Sequence, residues 1–140
     1  MRKVYILIFL PVIILFISCN NQNKQEAEKT AKEFAESFYN MDYKKATELS
    51  TSQSSPLIYF IASNVTDNNI KMIKKTGKAR ATVLKSNINE KDSVGTVICQ
   101  ISNYLQIDYL KNENSVIINK QEHSFKLANI KGRWLVDLVR

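Results

Sequence analysis

Gly77-Lys78-Ala79-Arg80-Ala81-Thr82-Val83 is the stretch on which the fold turns. After Gly77 the apolar residues stop recurring at helical spacing and begin to alternate. Ala79, Ala81 and Val83 fall on one face of a strand, and Lys78, Arg80 and Thr82 on the other. Everything before this point reads as helix. Ala27, Ala31, Phe34 and Phe38 form one stripe of an amphipathic helix predicted over 25–40, with Glu28, Lys29, Lys32, Glu33 and Glu36 as its solvated face. Asp42 is placed to cap a second helix carrying Tyr43, Ala46 and Leu49. A polar break over 50–55 follows, and Pro56 suits the first turn of a third helix with Leu57, Ile58, Phe60 and Ile61. Asp67 opens a fourth helical segment carrying Ile70 and Ile73, which Gly77 ends.

The strands continue to the C-terminus. Asn89-Glu90-Lys91-Asp92 reads as a turn, and a partner strand over 93–105 sets Val97, Cys99 and Ile101 on one face. Asn112-Glu113-Asn114 punctuates again. A third strand starts at Val116 to Ile118, breaks around Asn119-Lys120-Gln121, and resumes with Phe125 and Leu127. Lys131-Gly132 is a tight-turn signal before a last strand with Trp134, Val136 and Leu138. Helices first and antiparallel strands after them make an α+β domain, the sheet burying one face on the helices.

The chain has 140 residues, with 20 Lys plus Arg against 13 Asp plus Glu and a net charge of +7. That length allows one modest domain, and a hydrophobic fraction of 44% is too high for a disordered chain. Two cysteines cannot build a disulfide framework, one histidine cannot anchor a histidine-based metal cluster, and three glycines leave no room for a phosphate-cradling loop.

Met1-Arg2-Lys3 is a short positive start, followed by an uncharged run from Val4 to Ile17 that only Pro11 interrupts. A permanent transmembrane helix needs about 20 apolar residues, so this run has the length of a signal-peptide core. It leads into Phe16-Ile17-Ser18-Cys19, a small residue immediately before a cysteine. The arrangement resembles the lipobox of bacterial lipoproteins, from which Phe16 departs by not being aliphatic. The resemblance implies cleavage between Ser18 and Cys19, acylation of Cys19 (diacylglyceryl and palmitate-type chains), and a cell-envelope protein held on the membrane by that lipid. Asn20 in place of an aspartate after the cysteine favours the outer over the inner membrane for a Gram-negative source. Residues 1–18 are then the signal, 19–25 the lipidated cysteine with an amide-rich flexible tether, and 26–140 the domain. Taking 18 residues from 140 leaves 122, and Arg2 and Lys3 leave with the signal, so the net charge falls from +7 to +5. Cys99 then has no intramolecular disulfide partner and reads as a buried, inert thiol.

The order of elements, closing on Lys131-Gly132-Arg133-Trp134-Leu135-Val136-Asp137, is similar to small lipoproteins with an NTF2-like (cystatin-like) domain, many of them of unknown function. The resemblance implies helices packed on a curved antiparallel sheet with a cone-shaped cavity between. In such domains the cavity serves isomerases or dehydratases in some relatives, binding in many and assembly in others, so the fold does not choose the activity. Tyr59, Phe60, Tyr104, Phe125 and Trp134 are the candidate cavity-lining residues.

An isomerase of the ketosteroid type needs a carboxylate base and donors for a developing oxyanion. Asp42, Asp108 and Asp137 are the carboxylates considered, and Tyr39, Tyr43, Tyr59, Tyr104 and Tyr109 the phenols. Asp42 is assigned to a helix cap, and Asp137 to the strand face opposite Trp134, outside the core. Asp108 with Tyr104 and Tyr109 is the remaining catalytic candidate. His123, among Gln121, Glu122 and Ser124, reads as an exposed residue with no nucleophile near it. Lys71, Lys74, Lys75, Lys78 and Arg80 form the densest basic cluster, the four lysines sharing one face if the helix runs on through Lys78. It contains no interleaved aromatics, which argues against nucleic acid and for an anionic envelope surface or plain solvation. The sequence therefore points to a membrane-attached, non-catalytic domain without metal or cofactor, binding a small apolar ligand or an envelope protein. A hydrophobic-substrate enzyme using Asp108, and an assembly module dimerising through its sheet, are the competing readings.

Overall fold

Ala27, Ala31, Phe34 and Ala35 are the fully buried seam of the first helix, α1 (Tyr5–Tyr39). The computed structural model describes the backbone of residues 5–108 and 115–140, with side chains from residue 21 onward in those ranges. Three short helices follow: α2 (Tyr43–Glu48), α3 (Ser55–Ser63) and α4 (Asp67–Thr76). The strands are β1 (Arg80–Asn89), β2 (Val94–Gln106), β3 (Val116–Ile130) and β4 (Arg133–Val136), in one curved sheet of order β1-β2-β3-β4 with every neighbour antiparallel. The α+β architecture is as expected.

Four local expectations change. The amide-rich stretch after Cys19 is helical and continues α1. Gln22 Nε2 donates to Glu26 Oε1 at 3.2 Å, and Lys24 lies 3.9 Å from Glu28. A nucleated helix gains one hydrogen bond per residue added, so a polar stretch extends it without needing a core. Secondly, the charged face of α1 is not all solvated. Glu28 accepts from Ser86 Oγ, Glu36 Oε1 from the Ala81 amide at 3.2 Å, and Asn40 both accepts from and donates to the Ala79 backbone at 2.8 and 3.0 Å. The helix thereby satisfies the free edge of β1 with side chains, which blunts a strand edge that could otherwise pair with another chain.

Thirdly, the polar break after α2 is buried at Ser50, Thr51 and Ser54, with Ser52 and Gln53 left exposed. Leu49 O accepts from the Val136 amide and the Thr51 amide donates to Val136 O, both at 2.9 Å, so this segment covers the edge of β4. Ser54 Oγ accepts from the Leu138 amide at 2.9 Å and lies 2.8 Å from Thr51 Oγ1. The hydroxyls look like loop composition in sequence, yet they satisfy backbone groups that the core would leave unpaired. Lastly, β3 is unbroken over its whole length. The polar run Asn119-Lys120-Gln121 pairs in register, with Lys120 opposite Ser102 and Gln121 opposite Ile101.

The pairings give the sheet two distinguishable ends. At the near end Glu28 of α1 meets Ser86, which pairs with Val97, which pairs with Phe125. Leu138 follows β4 at this level and holds the start of α3 through Ser54. At the far end Asn40 holds Ala79, and Asn103 Nδ2 donates to Thr76 O at 2.7 Å, which fastens the C-terminus of α4. Turn Lys131-Gly132 has φ of 52° and 82°, the left-handed pair that a two-residue hairpin of this twist requires.

Candidate functional site

The far end of the sheet holds an aromatic cleft. Its apolar walls are Phe38, Tyr39 and Met41 from the end of α1, Tyr43 of α2, Ile73 of α4, and Leu105 and Ile107 from the end of β2. Tyr104, Gln106, Gln121 and His123 supply its polar groups, and its volume is about 220 Å³. Met41 reaches the wall because the chain leaves α1 there in a left-handed conformation, φ 63°.

Tyr104 reaches it through a backbone irregularity. Val97, Cys99 and Ile101 alternate inward along β2, so Tyr104 would fall on the outer face. Asn103 adopts φ 57°, a region Asn tolerates better than most residues, and the alternation resets. Tyr104 turns inward and is buried.

Tyr39, Tyr104 and His123 pack ring against ring, with Tyr39 and Tyr104 centroids 4.6 Å apart and His123 at 5.3 and 5.4 Å from them. Tyr104 Oη donates to Gln121 Oε1 at 2.8 Å. A phenol has one hydrogen, so the 2.9 Å contact between Tyr104 Oη and His123 Nε2 is a donation from the imidazole. A neutral imidazole carrying its proton on Nε2 accepts at Nδ1, where Tyr39 Oη lies at 3.2 Å and donates. The network thus runs Tyr39 to His123 to Tyr104 to Gln121 in one direction. Burial lowers the His123 pKa below its ordinary 6.5 and raises that of Tyr104, so each holds the neutral form this network needs.

His123 is therefore a central residue of the site, correcting its reading as an exposed polar histidine. It sits two residues before Phe125 and four before Leu127, on the inward parity of β3, directly opposite Cys99. The parity runs through 119–121 because β3 pairs with β2 there without interruption. Gln121 follows the same parity.

The other sequence candidates scatter. Tyr104 lines the cleft. Tyr59 and Phe60 do not: they stand 61% and 54% exposed on α3, whose inward positions are taken by Ile58 and Ile61. Phe125 and Trp134 are core, Phe125 packing edge-on against Phe34 at 5.8 Å. Trp134 Nε1 finds no acceptor among the described residues. Asp108 is half-buried just beyond β2, next to Ile107 of the cleft wall, and is not itself among the described cleft-lining residues. Tyr109 and the turn 112–114 lie outside the described residues, as do the side chains of Ser18 and Cys19. Among the described residues no three His, Cys, Asp or Glu side chains gather as a metal would need.

Asp137 lies on the face opposite Trp134 as expected but is only 6% exposed, correcting its placement outside the core. Its Oδ1 accepts from the Val139 amide at 3.1 Å and its Oδ2 faces Arg140 Nε at 3.5 Å. This pair lines two grooves at the near end, a mostly apolar one of about 240 Å³ and a more polar one of about 300 Å³. Lys71, Lys74, Lys75, Lys78 and Arg80 are all exposed, but α4 ends at Thr76 and Gly77 turns at φ 86°, so Lys78 leaves the helical face. The cluster sits at the far end, beside the cleft. Cys99 is buried beneath α1, and desolvation, reinforced by the Glu28 and Glu36 charges, pushes its thiol up to about 11, so it is inert.

With this geometry in hand, the solved structures supply one informative likeness. A Campylobacter jejuni protein described as an NTF2-like transpeptidase superposes with a TM-score of 0.51 at 19% identity, covering 79% of this chain and 96% of its own. The fold is NTF2-like. The intermembrane-space region of the chloroplast protein ARC6 also matches, with a TM-score of 0.45 at 10% identity over 83% of this chain and 91% of that one. No family model matches the chain, and no curated protein does. In the terms of that fold, the cleft is the opening between the helices and the far end of the sheet.

Proposed function

We propose that this protein is a lipid-anchored envelope protein whose NTF2-like domain binds a small, neutral, largely apolar molecule in the far-end cleft. One observation carries the reading: an apolar wall converges on a short, fully directed hydrogen-bond network, the composition of ligand pockets in general. Among the described lining residues there is no charged side chain, so the site favours an uncharged ligand. Its volume lies below the roughly 300–1,000 Å³ of drug-sized pockets, which suits a single ring or a short acyl segment. A ligand hydroxyl or carbonyl would meet the Tyr104–His123–Gln121 cluster, and the flat faces of Tyr39 and Phe38 would flank its apolar body.

Binding is favoured over group transfer. Transpeptidation, which the Campylobacter protein's description names, needs a serine or cysteine activated by a base. Here both nitrogens of His123 are engaged by tyrosines, and Cys99 is held protonated in the core. The anchor rests on Ser18-Cys19 after the apolar run. Native mass spectrometry of the purified chain tests the pocket: a bound small molecule that Ile107→Trp expels supports it, and a ligand-free spectrum with no gain on adding lipid extract overturns it. Cys19→Ala tests the anchor by releasing the chain from membranes. Undiminished membrane attachment of that variant would assign anchoring to the apolar segment instead.

A further inference from the structure

The chain closes most of its own sheet edges. The free edge of β1 is met by Glu36 and Asn40 of α1, and the edge of β4 by Leu49 and Thr51. β4 is four residues long, however, against fifteen in β3. Its pairing ends at Leu127 opposite Val136, followed by one more bond from the Asp137 amide to Lys126 O at 2.8 Å. From there toward the start of β3 the same side of the strand lies open. Backbone groups alternate sides along an antiparallel strand, so the N–H and C=O of Ser124, Glu122 and Lys120 point the way Lys126 O does. Among the described residues none of them has a partner on that side. Asn119, Lys120, Gln121, Glu122 and Ser124 are exposed, while pairing with β2 on the other side holds this stretch extended.

An open edge of this kind takes another extended strand, and the side chains beside it name which one. Lys120 and Glu122 stand two residues apart on the same face, both exposed and neither in an ion pair among the described residues. A lysine by itself guards an edge against pairing. With Glu122 beside it, the lysine selects a register instead. When a second copy of β3 lies antiparallel about a two-fold axis at Gln121, Lys120 faces Glu122 of that copy, and Glu122 faces its Lys120. Moving the axis to Lys120 or to Glu122 sets like charges face to face, which opposes pairing. The axis at Gln121 also pairs Ser124 with Ile118, so it uses the uncovered stretch evenly.

We infer that this protein forms a two-fold homodimer by antiparallel pairing of its β3 edges over 118–124, joining two four-stranded sheets into one continuous sheet. Gln121 lines the cleft and lies on the axis, so the second copy's Gln121 borders each cleft. Neither the ligand of the cleft nor the lipid anchor enters into this pairing.

Disulfide trapping tests it. Opposed residues that share no hydrogen bonds in an antiparallel pair have Cα atoms about 4.5 Å apart, within reach of a disulfide. Gln121 is in that position against its own copy, whereas Ser124 lies six residues from its own copy, about 20 Å. Gln121→Cys and, separately, Ser124→Cys are made in the full chain, oxidised with copper phenanthroline in mild detergent and run on a non-reducing gel. Any link through Cys19 appears equally in both, and Cys99 is buried. The expected result is a covalent dimer from Gln121→Cys and background from Ser124→Cys. Adding Lys120→Glu to Gln121→Cys sets like charges opposite each other twice and should slow linking about tenfold. Adding Glu122→Lys as well should restore it. No dimer at 121 overturns the pairing and leaves the edge to an extended segment of another protein. Equal amounts at 121 and 124 also overturn it, because they report collision. A rate indifferent to Lys120→Glu, or not restored by the double exchange, overturns the register and the homodimer with it.

Discussion

The two halves of α1 meet the same sheet in opposite ways. Toward its N-terminal side Ala27, Ala31 and Ala35 are completely buried, one methyl deep, and the helix lies close against β1 and β2. Toward its C-terminal end Phe38 and Tyr39 replace alanine, the rings hold the elements apart, and the aromatic cleft opens. The packed half even has a glycine cleared for it. A Cβ on Gly95 would come within 2.6 Å of Ile88 Cδ1 and 3.6 Å of Trp134, so the tryptophan closes the near end against bare backbone. The lesson is that one amphipathic stripe can both seal a core and build a pocket, with side-chain size along it setting the change. At 27, 31 and 35 alanine lets the helix approach with Phe34 filling the core between them, and at 38 and 39 larger rings hold it off.

The sharpest way to break this contrast is at the packed end. Trp134→Ala should cost about 3–5 kcal/mol by leaving a cavity the rigid near end cannot refill, seen as a large fall in the urea midpoint. Equal loss from Tyr39→Ala would mean that the two ends are packed alike. Next in size, Ala35→Leu should cost about 1–3 kcal/mol through overpacking. Ile107→Phe, which adds comparable bulk to the cleft wall, should shift stability by under about 1 kcal/mol. Should both cost the same, the cleft is not open space.

Smaller again, Tyr39→Phe removes only the hydroxyl that donates to His123 and should cost about 0.5–1.5 kcal/mol, with the rings still stacked. The smallest effect is in pH. Burial lowers the His123 pKa below 6.5 in the folded chain, so below that pH the unfolded state binds more protons than the folded one. Stability present above pH 6.5 is therefore lost as pH falls toward the lowered value, and His123→Gln should flatten that slope in equilibrium unfolding. A slope unchanged in the variant would assign the titration to other groups.

Much of the architecture could be read from residue order, because burial imposes periodicity. The alanine–phenylalanine stripe of α1, the change of period after Gly77 and the Lys131-Gly132 turn each follow from local geometry, and each is where it was expected. The site was legible only in part. Tyr104 was identified, but its partners were not. His123 and Gln121 share the inward parity of Phe125 and Leu127, and the polar letters between 119 and 122 masked the continuity. Glu28 and Glu36 looked solvated because helical spacing cannot reveal that a strand edge will lie beside them. Tyr59 and Phe60 looked like cavity residues because aromatic content in a helix does not state which side faces in.

By itself, the sequence determined the α+β order, the helical seam, the strand alternation and the Ser18-Cys19 motif, all of which depend on neighbours along the chain. Only the tertiary structure decided that Asn103 would reset β2 and turn Tyr104 inward. It alone brought residues 39, 104, 121 and 123 into one network, and turned Tyr59 and Phe60 to solvent while Ile58 and Ile61 went inward. These depend on which strands pair and in what register, a property of contacts far apart in sequence that no local periodicity encodes.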